Sequence, residues 1–188
     1  MSLKGFWHFN NGEGVASPPR LRNTLNTRIG RSKSGSFFVR RDVPSLKPDY
    51  SDAAFPNWRL RMEPDGGNRT HCVEGTWAAQ IIDDLRPQEG EHLVAKKGFG
   101  GFSNTPLDTI LRKMGVTTCV ACGVTTCVCV STTIRGGVEY NYRMIVVGDA
   151  VADVDRDTHE AELRTMARIF ADVKTTDEVI GMLDSIRP

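Results

Sequence analysis

From Ser36 onward the chain alternates between short apolar runs and segments whose apolar residues recur at helical spacing. Ser36 to Arg40 (SFFVR) reads as a short strand, followed by a loop rich in proline at Pro44, Pro48, Pro56 and Pro64. Glu74 to Leu85 carries Trp77, Ile81, Ile82 and Leu85 at helical spacing, and His92 to Lys96 reads as a strand. Thr105-Pro-Leu-Asp opens a helix through Leu107, Ile110, Leu111 and Met114, with Gly115 as its stop. Thr117 to Cys122 is a β-branched, apolar strand, Val128 to Gly136 is helical, and Tyr142 to Val147 is a strand again. Thr158 to Phe170 is amphipathic, with Leu163, Met166, Ala167 and Phe170 on one face. A brief strand at Asp172 to Lys174 precedes a last helix, opened by Thr176-Asp-Glu and ending near Ile186.

Strands that alternate with helices and are apolar throughout predict an α/β fold: a three-layer α/β/α domain with a mainly parallel central sheet. Ligands in such sheets bind beyond the carboxyl ends of the strands. That rule selects Lys96 at the end of one expected strand, Gly123 to Cys129 after another, and Asp149 after a third.

The 188 residues suit a single domain, 39% apolar and 25% charged, with a net charge of +1. That balance argues against a dedicated nucleic-acid binder. No apolar run approaches the ~20 residues that cross a bilayer, and no signal peptide opens the chain, so the expectation is a cytoplasmic protein without a membrane partner. Charge is uneven, however. Residues 1–61 hold 11 Lys and Arg against 4 Asp and Glu. Residues 1–36 therefore read as an irregular basic arm that packs on a neighbouring subunit or stays solvated. Aromatic residues do not interleave with Arg20, Arg22, Arg28 and Arg31, so the platform for single-stranded nucleic acid is missing.

The cysteines are five: Cys72, Cys119, Cys122, Cys127 and Cys129. An odd count with four inside eleven residues is a poor disulfide framework. Cys119-x-x-Cys122 has zinc-ligand spacing, but on a strand residues i and i+3 face opposite ways, and both read as small core residues. Cys129 differs. A short turn after a buried strand places it at the first turn of a helix, where unpaired N–H groups favour a thiolate and can hold an oxyanion. A lysine ending the neighbouring strand, Lys96, favours the thiolate further. Spacing alone leaves a buried structural cysteine and a surface lysine open beside this reading.

The stretches LVAKKGFGGFSNTPLDTILRKMGV (93–116), CVACGVTTCVCVSTTIRGG (119–137), YRMIVVGDAVAD (142–153) and HEAELRTMARIFADVKTTDEVIGML (159–183) together resemble the isochorismatase-like cysteine hydrolases. Nicotinamidase, N-carbamoylsarcosine amidase, biuret hydrolase and ureidoacrylate amidohydrolase are members. HCVEGTWAAQIIDDLRPQEGE (71–91) resembles the family's approach to its lysine strand. The resemblance implies that Cys129 is the nucleophile and Lys96 the catalytic lysine, with Cys127 at a variable position. It implies a cis peptide at Val124–Thr125, with the N–H groups of Thr125 and Cys129 forming the oxyanion hole. The implied chemistry is hydrolysis of an amide or ureido C–N bond of a small molecule through a thioester. Phe99, Phe102 and Trp58 are expected to line the substrate pocket, and a homodimer or homotetramer is expected.

Two departures qualify the resemblance. The family's first strand ends in a catalytic aspartate, whereas here an apolar strand is missing and His8 falls where the aspartate belongs. The expectation is that the first strand and its aspartate lie outside the 188 residues. The alternative is a degenerate relative, a catalytically impaired pseudoenzyme or oligomeric scaffold, in which His8 or nothing serves as base. The second departure concerns metal. Related nicotinamidases carry an Asp and two His after the second strand, but Arg41 to Tyr50 holds no histidine and His71 stands alone. Neither a metal nor another cofactor is expected.

Overall fold

A computed structural model describes residues 3–8, 37–41, 74–81 and 83–185. Its centre is a six-stranded, wholly parallel sheet in the order β3-β2-β1-β4-β5-β6. The strands are β1 (Leu3–His8), β2 (Phe37–Arg41), β3 (His92–Lys96), β4 (Thr118–Val124), β5 (Arg143–Ala152) and β6 (Asp172–Lys174). Helices α1 (Leu107–Lys113), α2 (Ser131–Glu139), α3 (Arg156–Thr165) and α4 (Thr176–Ser185) flank it, as the alternating pattern predicts. Among the described residues no helix is long and apolar enough to cross a membrane.

The first strand is the main correction. Leu3–His8 is not an irregular arm but an interior strand, parallel to β2 on one side and β4 on the other. Lys4 and Gly5 hide it from a search for apolar runs, since an interior parallel strand is ordinarily apolar throughout. Its stability is non-local, coming from two ladders that a reading of six residues cannot see. Residues 9–36 of the expected arm, the proline-rich loop after Arg41, His71 and Cys72 lie outside the described residues.

The core is continuous across β4 and β5. Cys119, Val120, Cys122, Ile145, Val146 and Val147 are all buried, with Leu107, Leu111, Ile134, Met166, Val179 and Leu183 packed from the helices. Cys119 and Cys122 are thus the small core residues that their strand position suggested. Burial pushes the Cys119 thiol up to about 12 and raises Cys122 well above the ordinary thiol range.

Several boundaries move for identifiable reasons. The helix expected at 74–85 is only two 3₁₀ turns, Trp77–Ala79 and Asp83–Leu85. Trp77, placed by periodicity on a buried face, is 78% exposed, so no packing rewards helix formation there. α3 begins earlier than expected because Asp155 accepts the Thr158 N–H at 2.8 Å and caps it. α4 is opened by Thr175, not Thr176: Thr175 N–H donates to Glu178 at 2.7 Å while Glu178 N–H donates back to the Thr175 hydroxyl. Asp149 does not lie in the crevice beyond its strand. It sits inside β5, where the register against β4 shifts, and accepts both the N–H (2.8 Å) and the hydroxyl (2.9 Å) of Thr176.

Candidate active site

β1 closes on His8, β3 on Lys96 and β4 on Val124, all at one edge of the sheet. Strand order reverses between β1 and β4, because successive strands step outward to β3 on one side and to β6 on the other. A reversal of this kind leaves a crevice at the carboxyl ends of the two central strands. The register sets His8 beside Gly123, and β4 then runs directly into the turn that carries Cys129.

That turn is unusual throughout. Gly123 has φ of 122°, a conformation in which an L side chain is strained. The Val124–Thr125 peptide bond is cis. Thr125 is extended, and Thr126–Val130 form one π-helical turn continuous with α2. The Thr125 carbonyl accepts N–H groups from both neighbours of Cys129, Val128 at 3.3 Å and Val130 at 3.1 Å. The Thr133 hydroxyl donates to the Cys129 carbonyl at 2.7 Å. Cys129 itself is 5% exposed, two residues ahead of α2.

A second group of contacts reaches the turn from the β5–α3 side. Cys127 N–H donates to Asp153 Oδ2 at 2.7 Å. Thr126 Oγ1 and His159 Nδ1 share a hydrogen bond at 2.9 Å. Ser131 donates to Glu162 Oε1 at 2.6 Å, and the same oxygen pairs with Arg135. Arg135 in turn lies over the Phe170 ring. The Cys127 thiol is pushed up to about 11, by burial first and then by the adjoining Asp153 carboxylate. None of Asp153, His159 or Glu162 was expected from sequence. They lie 26 to 33 residues beyond their partners, and nothing in their local pattern marks them.

Lys96 is 1% exposed, so the surface-lysine alternative does not hold. Its strand is not the neighbour of β4, as the sequence reading had it; β2 and β1 lie between. The connection runs through the loop after β3. Lys96 Nζ donates to the Phe99 carbonyl, and Gly101 N–H donates to Thr133 Oγ1 at 2.9 Å. Thr133 therefore joins this loop to the Cys129 carbonyl. A Cβ on Gly100 would stand 2.9 Å from the Thr132 methyl, so the close approach of loop and helix requires glycine there. Phe99 is half-buried in the loop. Phe102 is not a pocket wall: it is buried in the core, its ring stacked on Tyr140 and Tyr142 with centroids 5.5 and 5.6 Å away. Trp58 and the His8 side chain lie outside the described residues.

Among the described residues no three His, Cys, Asp or Glu side chains are grouped to hold a metal ion. The fold sets Cys129 in a multiply bonded turn after β4, buried Lys96 at the end of β3 with its following loop tied to α2, and His8 at the end of β1. A cysteine in such a turn is the kind of group that covalent hydrolysis employs.

Comparison with known proteins bears on the family. The chain is 43% identical over 160 residues to ureidoacrylate amidohydrolase RutB of Klebsiella pneumoniae, an alignment covering 80% of this chain and 64% of that one. It spans about half the length of the curated relatives it matches, 57% for the enzyme of Methylobacterium radiotolerans. A cysteine hydrolase from Pseudomonas syringae pv. phaseolicola superposes with a TM-score of 0.81 at 26% identity, covering 98% of this chain and 93% of that one. N-carbamoylsarcosine amidase from Thermoplasma acidophilum gives 0.71 at 26% identity, covering 94% and 98%. The isochorismatase domain model matches residues 23–178. The sheet order, the turn after β4 and these likenesses have one common account: the chain belongs to the isochorismatase family.

Proposed function

We propose that this protein is a cysteine hydrolase that cleaves an amide or ureido C–N bond of a small molecule, with Cys129 as nucleophile. The observation that carries the reading is the position of Cys129 in a buried, multiply bonded turn at the point where strand order reverses. A relative named for ureidoacrylate hydrolysis and a fold neighbour named for N-carbamoylsarcosine hydrolysis suggest the ureido class of substrate.

In this mechanism the Cys129 thiol gives its proton to a base and the sulfur bonds to the substrate carbonyl carbon. The carbonyl π pair moves onto oxygen, where the N–H groups of Thr125 and Cys129 stabilise it. The intermediate collapses, the C–N bond breaks, and the base returns the proton to the leaving amine. Water then attacks the thioester, or the thiocarbamate from a ureido substrate, releasing the acid and restoring the thiol. Lys96 supplies positive charge that favours the sulfur anion. Phe99 belongs to the loop that faces this chemistry, and Trp58 is a second candidate wall. For the base, the register favours His8, the residue that closes β1 beside Gly123. A homodimer or homotetramer acting in the cytoplasm completes the reading.

The test is direct. Ammonia or amine release from ureidoacrylate should fall by at least about 10³-fold in Cys129→Ala, since removing the nucleophile removes the covalent route. Iodoacetamide should label Cys129 well ahead of the other four thiols near neutral pH. Slow and equal labelling, with no turnover, would favour the second reading: a pseudoenzyme or oligomeric scaffold. The observation behind that alternative is that β1 ends on His8, where the family resemblance implies an aspartate.

A further inference from the structure

The β5–α3 junction stands against the nucleophile's turn, and the mechanism above does not use it. Asp153 lies just after β5, with one carboxylate oxygen accepting Cys127 N–H at 2.7 Å and the other accepting Val154 N–H at 2.9 Å. Its bond to Val154 holds the carboxylate in place, and its bond to Cys127 reaches the turn two residues before Cys129. The same carboxylate also adjoins the Cys127 thiol, and the only other charge acting on that thiol among the described residues is Glu162. The turn thus presents two sulfurs two residues apart, Cys129 buried and Cys127 half-buried.

We propose that Asp153 is a positioning residue with two effects: it pins the Cys127 amide, so fixing the turn that presents Cys129, and it prevents the Cys127 sulfur from acting as a competing nucleophile. The proposal rests on the reading of Cys129 as nucleophile. The first effect follows from geometry. A π-helical turn is rare and is ordinarily stabilised by its surroundings, and of its members Cys127 is the one whose N–H is bound by a side-chain carboxylate. The second follows from charge. A carboxylate beside a thiol opposes its ionisation, and only the thiolate attacks carbonyls or alkylating agents. Cys127, the more accessible sulfur, is accordingly held as the thiol, consistent with its position up to about 11. Two substitutions separate the effects. Asp153→Ala removes the acceptor and the charge, whereas Asp153→Asn removes the charge but keeps an oxygen that can accept Cys127 N–H.

The experiment measures turnover of ureidoacrylate and, separately, iodoacetamide labelling of each cysteine at about pH 8.5, near the ordinary thiol range, by peptide mass mapping of the full chain. Asp153→Ala should lower kcat about 10- to 100-fold with KM within about 2-fold, the signature of a displaced reacting group. Asp153→Asn should recover most of that kcat. In both variants Cys127 should be labelled about 3- to 10-fold faster, because each pKa unit released is ~10-fold in thiolate fraction. A kcat unchanged in Asp153→Ala, an Asn variant as slow as the Ala variant, or Cys127 labelling unchanged in either would each overturn the proposal. If Asp153→Ala does not fold, Cys127 labelling in Asp153→Asn decides. Failure of the nucleophile reading looks different: Cys129→Ala keeps its turnover, or the wild type has none, while the Cys127 labelling still reports on Asp153.

Discussion

At the scale of single residues, Lys96 is the side chain whose burial most demands an explanation. An ammonium that is 1% exposed is costly unless it is hydrogen-bonded, and the carbonyl of Phe99 answers part of that demand. Lys96→Met keeps most of the chain's volume and removes the charge. We expect the fold to persist and iodoacetamide labelling of Cys129 to slow by about 10-fold, the equivalent of roughly one pKa unit of lost favourable charge. Unchanged labelling would mean that the lysine and the sulfur are not coupled. Both residues were singled out in the sequence as candidates, since one closes and the other follows an apolar strand and the resemblance names them. Phe102 was not. A phenylalanine in a glycine-rich loop looks the same whether it faces a substrate or a core, and only the stacking with Tyr140 and Tyr142 decides.

Elements show a different division. β4 is buried at all seven positions and its apolar run is visible to any reading of period and composition. Its end is where local rules fail. Gly123 has φ of 122°, so a Cβ there is strained whatever space surrounds it. Gly123→Ala should cost about 1–3 kcal/mol, read as a lower midpoint in urea, and should reduce Cys129 labelling beyond what the lost stability explains. If the variant is as stable and as reactive as the wild type, the turn is not held as described. Glu162 acts at the same scale. It accepts from Ser131 and pairs with Arg135, tying α3 to the beginning of α2. Glu162→Ala leaves the Ser131 hydroxyl and Arg135 without that acceptor, and an expected loss of about 1–3 kcal/mol should appear in thermal unfolding. A Tm equal to the wild type would refute this tie.

Over the whole molecule, the buried thiols and Tyr142 predict how stability follows pH. Burial raises Cys119 to about 12 and lifts Cys122 well above the ordinary thiol range. Burial, then the hydrogen bond to Asp108 at 2.8 Å, raises Tyr142. Such groups hold their protons more tightly folded than unfolded. Their contribution is therefore complete below the unfolded values, ~8.5 for cysteine and ~10 for tyrosine, and is lost as pH climbs toward the folded ones. Tm should be level near neutrality and fall steadily above about pH 8.5. Asp108 works in the opposite direction: burial pushes its carboxyl up, but hydrogen bonds from Arg112 and Tyr142 outweigh this and hold it below its usual range. Its contribution is present above the unfolded carboxylate value, ~3.9, and disappears in acid. A Tm that stays flat to about pH 10.5 would contradict the burial of the thiols.

What the sequence determined by itself is the succession of strands and helices from β3 onward, the parallel sheet that follows from it, and two candidate residues, Lys96 closing one strand and Cys129 in the turn after another. These are local properties, carried by apolar period, β-branching and capping residues within a few positions. Only the tertiary structure decided that Leu3–His8 is an interior strand, that Lys96 connects to α2 through a loop rather than from a strand adjacent to β4, and that Asp153 and His159 hold the turn while Glu162 holds the start of α2. Those outcomes depend on backbone ladders and carboxylate contacts between residues far apart in the chain, and such pairings have no local signature because their stabilisation exists only once the sheet has formed.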